Sequence, residues 1–192
     1  MDLKELVTKN RSYRGYDHSR AVTREELLDM VDCARFAASS VNRQPLKYFL
    51  AYEPEVVDTI QPLTKWGRAL PDMELPHPGK EPTAFIVICL DKTISENEKV
   101  FTRVLGIVAQ TILLRATEMG LGGCMIGNFS RDELRKAIHL ADHLEPLLIL
   151  AVGKPDEEIV LVDLPEDGST NYYRDENDVH YVPKRALEDL IL

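Results

Sequence analysis

Apolar residues fall at helical spacing in some stretches of this chain and as unbroken runs in others, with polar or glycine-rich punctuation between them. Leu3, Leu6 and Val7 stripe residues 2–9, and Asp2 with Glu5 has capping-box spacing, so a short helix is expected there. Thr23-Arg24-Glu25-Glu26 repeats that signature and opens a second helix, with Leu27, Val31, Ala34 and Ala38 on one face. It runs out in Ala37-Ala38-Ser39-Ser40, small residues that let a second backbone or a flat ligand come close, and Pro45 forces extended backbone before it. Residues 47–52 predict a strand and 54–63 a helix. Residues 66–82 carry Pro71, Pro76, Pro78, Gly79 and Pro82 with little periodicity, the pattern of an ordered excursion or lid.

The second half is more apolar. Residues 83–90, Thr-Ala-Phe-Ile-Val-Ile-Cys-Leu, predict a central strand covered on both faces. Residues 98–119 form the longest helical pattern, apolar nearly all round, so burial on most sides is expected; in a chain this small that suggests a helix at the core of a dimer. Gly120 stops it. Residues 121–127 predict a strand with glycines at both ends, Ser130 caps a helix to about Leu140, and 147–152 predict another buried strand. The chain is then acidic and turn-rich as far as Asp178, and a short helix is expected over 186–191. Neither a repeat nor a linker interrupts it, so one domain spanning 1–192 is expected, with 183–192 as a C-terminal arm. Hairpin-length and crossover-length connections are mixed, which favours an α+β fold over a doubly wound sheet.

Composition narrows the class. Hydrophobic content of 44% and charged content of 29% are those of an ordinary globular chain. A net charge of −9 argues against nucleic acid or a membrane surface as partner, and leaves room for a local basic pocket. Charged and polar residues break the apolar runs short of a membrane span, and the first residues have no apolar leader, so a cytoplasmic location is expected. Three widely spaced cysteines suit a reducing compartment: Cys33 and Cys89 fall in apolar patterns as core thiols, and Cys124 lies among glycines where it could line a site.

GxSxG, P-loop, HExxH and GxGxxG signatures are all missing. His139 and His143 are four apart, but near a helix end and in acidic surroundings they are expected to be solvated, and no metal site is predicted. What stands out is Arg11-Ser12-Tyr13-Arg14, two guanidinium forks around a hydroxyl. Arginine suits phosphate and other oxyanions, although a solvated helix end explains the same residues. Further polar groups end apolar elements elsewhere: Ser39, Ser40, Asn42 and Gln44, the backbone at Ile126-Gly127, and Lys184 with Arg185. Together they supply cations, hydroxyls, amides and a glycine against which a planar ring can lie. That inventory suits flavin mononucleotide (FMN), and no catalytic acid–base pair is expected because the cofactor carries the chemistry.

In that ordered set the chain resembles the FMN-dependent nitroreductase family. The resemblance rests on residues 11–14, 38–45, 120–127 and 182–185. It implies an α+β homodimer with a central, mostly antiparallel sheet flanked by helices and the long helix at the two-fold axis. It further implies that Arg11, Ser12 and Arg14 hold the phosphate and ribityl region and that Lys184 and Arg185 close on the phosphate. Ser39, Ser40 and Asn42, with Gln44 nearby, would reach the ring from the partner subunit, and Ile126 and Gly127 would offer backbone N–H groups near flavin N5. The implied activity is ping-pong reduction of nitroaromatic, quinone or similar acceptors by NADH or NADPH. Two alternatives stand: the same fold with other flavin chemistry, of dehalogenase or dehydrogenase type, and a flavin-binding module without turnover.

Overall fold

The strand Ala84–Asp91 (β2) is buried at every position, as its unbroken apolar run predicts. The computed structural model describes residues 1–192. In it, β2 pairs antiparallel with Leu46–Ala51 (β1) on one side and with Leu144–Gly153 (β4) on the other, and Gly122–Ile126 (β3) closes the far edge antiparallel to β4. The sheet order is β1-β2-β4-β3.

Helices cover both faces. Ile86, Ile88, Leu150 and Val152 pack beneath Arg24–Arg35 (α2) and Glu98–Glu118 (α4). Phe85, Val87, Ile149 and Ile126 point the other way, with Pro54–Ile60 (α3) and Arg131–Ala137 (α5) over them. The first helix, Leu3–Lys9 (α1), carries the expected reciprocal capping box and packs against α4. By length and apolarity alone α4 would pass for a membrane span, but here it packs as the core helix of this layer.

Several expectations change. Cys33 is exposed, because α2 buries Leu27, Met30 and Ala34 and turns Cys33 outward; Ala38 lies beyond its end and is also exposed. Cys89 and Cys124 are buried, and burial pushes the Cys89 thiol up to about 12. Helix α4 is not covered on most sides by its own chain: Val100, Gly106 and Ile107 face outward. Residues 66–82 form turns without a regular element, tied to the C-terminal region by Ala69 N–H donating to Tyr172 Oη and by a 3.1 Å contact of His77 with Asp178.

The acidic region past Gly153 holds strands where the sequence suggested turns. Ile159–Asp163 (β5) pairs parallel with His180–Lys184 (β7), and Tyr173–Arg174 (β6) pairs with the other side of β7. The expected terminal helix shrinks to an exposed 3-10 turn, Glu188–Leu190. A buried ion pair pins this small sheet to the rest: Arg174 and Glu157 side chains are only 2% and 4% exposed, and the Glu157 carboxylate also accepts from the backbone N–H of Arg14.

Two stability tests follow. Gly123→Ala would drive a Cβ to 2.7 Å from Leu113 and into the Ala151 carbonyl, so a loss of about 1–3 kcal/mol is expected in chemical denaturation. Arg174→Met strands the Glu157 carboxylate and should cost about 3–5 kcal/mol, whereas an unchanged midpoint would show that this pair does not hold the two sheets together.

Candidate functional site

The Arg11–Arg14 stretch leaves α1 and lies along the β3 edge. Tyr13 N–H donates to Gly123 O at 3.1 Å, and Ser12 bridges Gly123 in parallel. The approach needs glycine: a Cβ at Gly122 would sit 2.5 Å from the Tyr13 ring. Tyr16 is fully buried under Gly153, and its hydroxyl donates to Tyr13 O at 2.7 Å. On the far side Asp156 N–H donates to Gly15 O, and Glu157 takes the Arg14 N–H. The segment is thus held through its backbone on both sides, and neither the Arg11 nor the Arg14 side chain is committed to an ion pair.

Those side chains open on a cavity of about 460 Å³. Val7, Asn10 and Arg11 contribute one helical face of α1 and its exit, while Gln110, Leu113 and Leu114 contribute one face of α4. Met125 comes from β3, and His180, Val182 and Lys184 come from alternate positions of β7. Ser12, Arg14, Ile159 and Tyr172 complete the lining. Three fixed cations are present, Arg11, Arg14 and Lys184, and the lining contains no Asp or Glu. In a chain of net charge −9 this is a strong local reversal of sign.

The arginines are only partly engaged. Arg11 Nη2 donates to Val7 O at 2.7 Å, but its Nε is buried without a partner, and burial lowers the pKa of the guanidinium below its ordinary value. Arg14 Nη1 donates to Ser12 O at 3.2 Å, and the guanidinium lies 4.8 Å from the centre of the Tyr172 ring. A planar fork held by a backbone carbonyl and an aromatic face retains donors for an oxyanion. At the cavity wall Asn10 Nδ2 donates to Thr117 Oγ1 at 3.0 Å, and Gln110 Nε2 donates to Asn10 Oδ1 at 3.3 Å, which leaves amide groups facing the space.

The structure brings together Arg11, Ser12, Arg14 and Lys184. Arg185 is exposed and outside this lining. The Ile126 side chain is turned into the opposite core, so only its backbone is available to the β3 edge. Gly127 is exposed with open space where a Cβ would stand. Ser39 and Gln44 border a separate cavity of about 240 Å³ with Val104 and Val108 of α4, and Ser40 and Asn42 lie beside it in a 3-10 turn. Within one chain the two groups do not meet. Asn10, Gln110, Met125, Tyr172 and His180 were not singled out from sequence. His180 stands two alternations before Lys184 on one face of β7, a strand that its acidic, turn-rich surroundings hide in the sequence.

With that geometry in view, the likenesses to known proteins are specific. Residues 7–154, about three quarters of the chain, match the model of the nitroreductase family. A protein of Methanothermobacter thermautotrophicus, provisionally named an NADH dehydrogenase/NAD(P)H nitroreductase, is 26% identical over 162 residues, covering 82% of this chain and 79% of that protein. The crystal structure of a nitroreductase family protein from Clostridium difficile 630 superimposes with a TM-score of 0.69 at 25% identity, covering 100% of this chain and 98% of the other. An FMN-dependent nitroreductase from Clostridium difficile R20291 shares the fold at a TM-score of 0.66, with 23% identity over 81% of this chain and 89% of its own. This chain, with its antiparallel four-stranded sheet between two helical layers and its arginine-lined cavity at the β3 edge, belongs to the nitroreductase family of oxidoreductases.

Proposed function

We propose that the protein is an FMN-dependent NAD(P)H oxidoreductase that reduces nitroaromatic, quinone or similar acceptors by a ping-pong cycle, working as a homodimer of single-domain chains. The observation that carries this reading is the cavity with Arg11, Arg14 and Lys184 and no carboxylate. A phosphomonoester carries about −1.5 to −2 charge at neutral pH, and guanidinium forks are its natural partners. FMN, when bound, supplies hydride acceptance from the nicotinamide and delivery to the acceptor through N5. The chain's own residues bind and orient. Lys184 and Arg11 neutralise phosphate, and the Asn10–Gln110 amides offer hydrogen bonds to hydroxyl groups. Gly127 leaves its backbone open to a flat ring. Arg14 sets a positive charge where electron density accumulates on reduction, an electrostatic contribution.

The homodimer reading rests on features that the isolated chain does not explain. Gly106 sits inside α4, where glycine costs about 1 kcal/mol relative to alanine, yet a Cβ there meets nothing within 4 Å. Val41 is 87% exposed and holds φ of 46°, and Asn42 and Gln44 are also left-handed at 54° and 50°. A β-branched residue in that region is strained, and here its own chain gives nothing in return. A second copy packed along α4 uses the glycine for close approach and brings Ser39, Ser40, Asn42 and Gln44 toward the partner's arginine cavity. In that assembly the long helix is covered and each site is completed by both chains. The excursion at 66–82 contributes no residue to either cavity lining but reaches the wall of the arginine cavity, where Ala69 N–H donates to Tyr172 Oη.

The purified protein is expected to be yellow, or to become so with FMN, and to bleach under NADH or NADPH without oxygen; a colourless protein that refuses FMN ends this reading. The double variant Arg11→Ala/Arg14→Ala should keep its circular dichroism and lose flavin affinity by about a hundredfold or more, two charge-assisted contacts at once. Gly106→Leu should leave each chain folded, shift sedimentation to the monomer and release flavin. If it remains dimeric with full flavin, α4 is not the interface.

A further inference from the structure

His180 lines the arginine cavity from β7, is 2% exposed, and has both ring nitrogens buried without a hydrogen-bond partner. Buried polar atoms are almost always paired, so a side chain with two orphan nitrogens in a cavity wall calls for a partner. It lies in the small C-terminal sheet, outside residues 7–154 that match the family model.

Position sets which part of a ligand it meets. His180, Val182 and Lys184 face the cavity from alternate positions, so His180 and Lys184 stand about 13 Å apart along the strand, four residues at the strand rise. That separation is of the order of a mononucleotide's length, and a phosphate held at Lys184 leaves His180 at the other end.

Charge sets the chemistry. Arg14 approaches from the segment after α1, Arg174 from β6 and Asp178 from the turn before β7, while Tyr172 packs edge-on with ring centres 5.3 Å apart. Burial and the two guanidiniums outweigh Asp178 and lower the imidazole to about 4. At neutral pH it is uncharged, with one N–H to donate and one lone pair to accept. A dianionic phosphate is better served by the cations at Lys184 and Arg11. A heterocycle edge with carbonyl and N–H groups suits a neutral imidazole beside a guanidinium.

We propose that His180 is a ligand-binding residue of this cavity, which together with Arg14 hydrogen-bonds the carbonyl-bearing, uracil-like edge of the bound flavin while Lys184 holds its phosphate. This rests on the flavin reading above. His180 here positions the ring and takes no proton from substrate.

The test compares wild type with His180→Phe and His180→Gln, titrated with riboflavin and FMN by fluorescence quenching and with inorganic phosphate as competitor. His180→Phe keeps the ring's bulk and removes the orphan nitrogens, so the ligand-free variant should melt no lower than wild type. It should bind both riboflavin and FMN about tenfold more weakly, the loss of one buried hydrogen bond, with phosphate competition unchanged. His180→Gln should recover part of that loss. Weakened phosphate competition in His180→Phe, or flavin affinity equal to wild type, overturns the assignment. If wild type itself takes up neither flavin, the cofactor reading falls and this one with it; if wild type binds and His180→Phe binds equally, only the role of His180 falls.

Discussion

The site depends on one close approach, the Arg11–Arg14 segment lying on the β3 edge. Two glycines make it possible: Gly122 leaves room for the Tyr13 ring, and Gly123 lets β3 sit tightly between β4 and α4 while accepting from Tyr13 N–H. Glu157 then takes the Arg14 N–H from the other side. With its backbone so held, the segment presents two guanidiniums without spending them on internal ion pairs. The glycines that open the strand expected over 121–127 are therefore a packing requirement.

Charge is segregated on a short scale. The chain has 32 acidic and 23 basic residues, yet three cations share one cavity with no acid. Two acids close to the segment are paired: Glu157 with Arg174, and Asp178 with Arg174 and, through a 3.1 Å contact, with His77. Arg174 of the C-terminal sheet thus takes up the charge of the acids beside the arginine segment, and burial with the Arg14 and Arg174 guanidiniums keeps His180 uncharged. An acidic exterior around a cationic cavity favours a small anion over an extended polyanion.

Most of the fold was legible from sequence. The buried central strand, the capping boxes at Asp2 and Thr23, and the long apolar helix all follow from period and local hydrogen bonding. The strands β5 to β7 were not legible, because each is short and half-exposed and is surrounded by Asp, Glu and Asn that signal turns. Cys33 was misplaced for a related reason: a thiol within an apolar helix looks like core, and only the rotation of α2 over the sheet decides which face is inward.

The residue types were set by the chain itself: guanidiniums at 11 and 14, small and polar groups at 39–44, glycines around β3, cations at 184–185. Local spacing fixes which elements form, and so the sequence determined the sheet, the core helix and the kind of ligand these groups suit. Which groups meet was decided only by tertiary structure. Arg14 and Lys184 converge because β7 folds back across the cavity, Arg185 is carried outside it, and His180 is buried there without a partner. Such encounters join residues more than a hundred positions apart, and no local rule of spacing encodes the angle at which two elements pack.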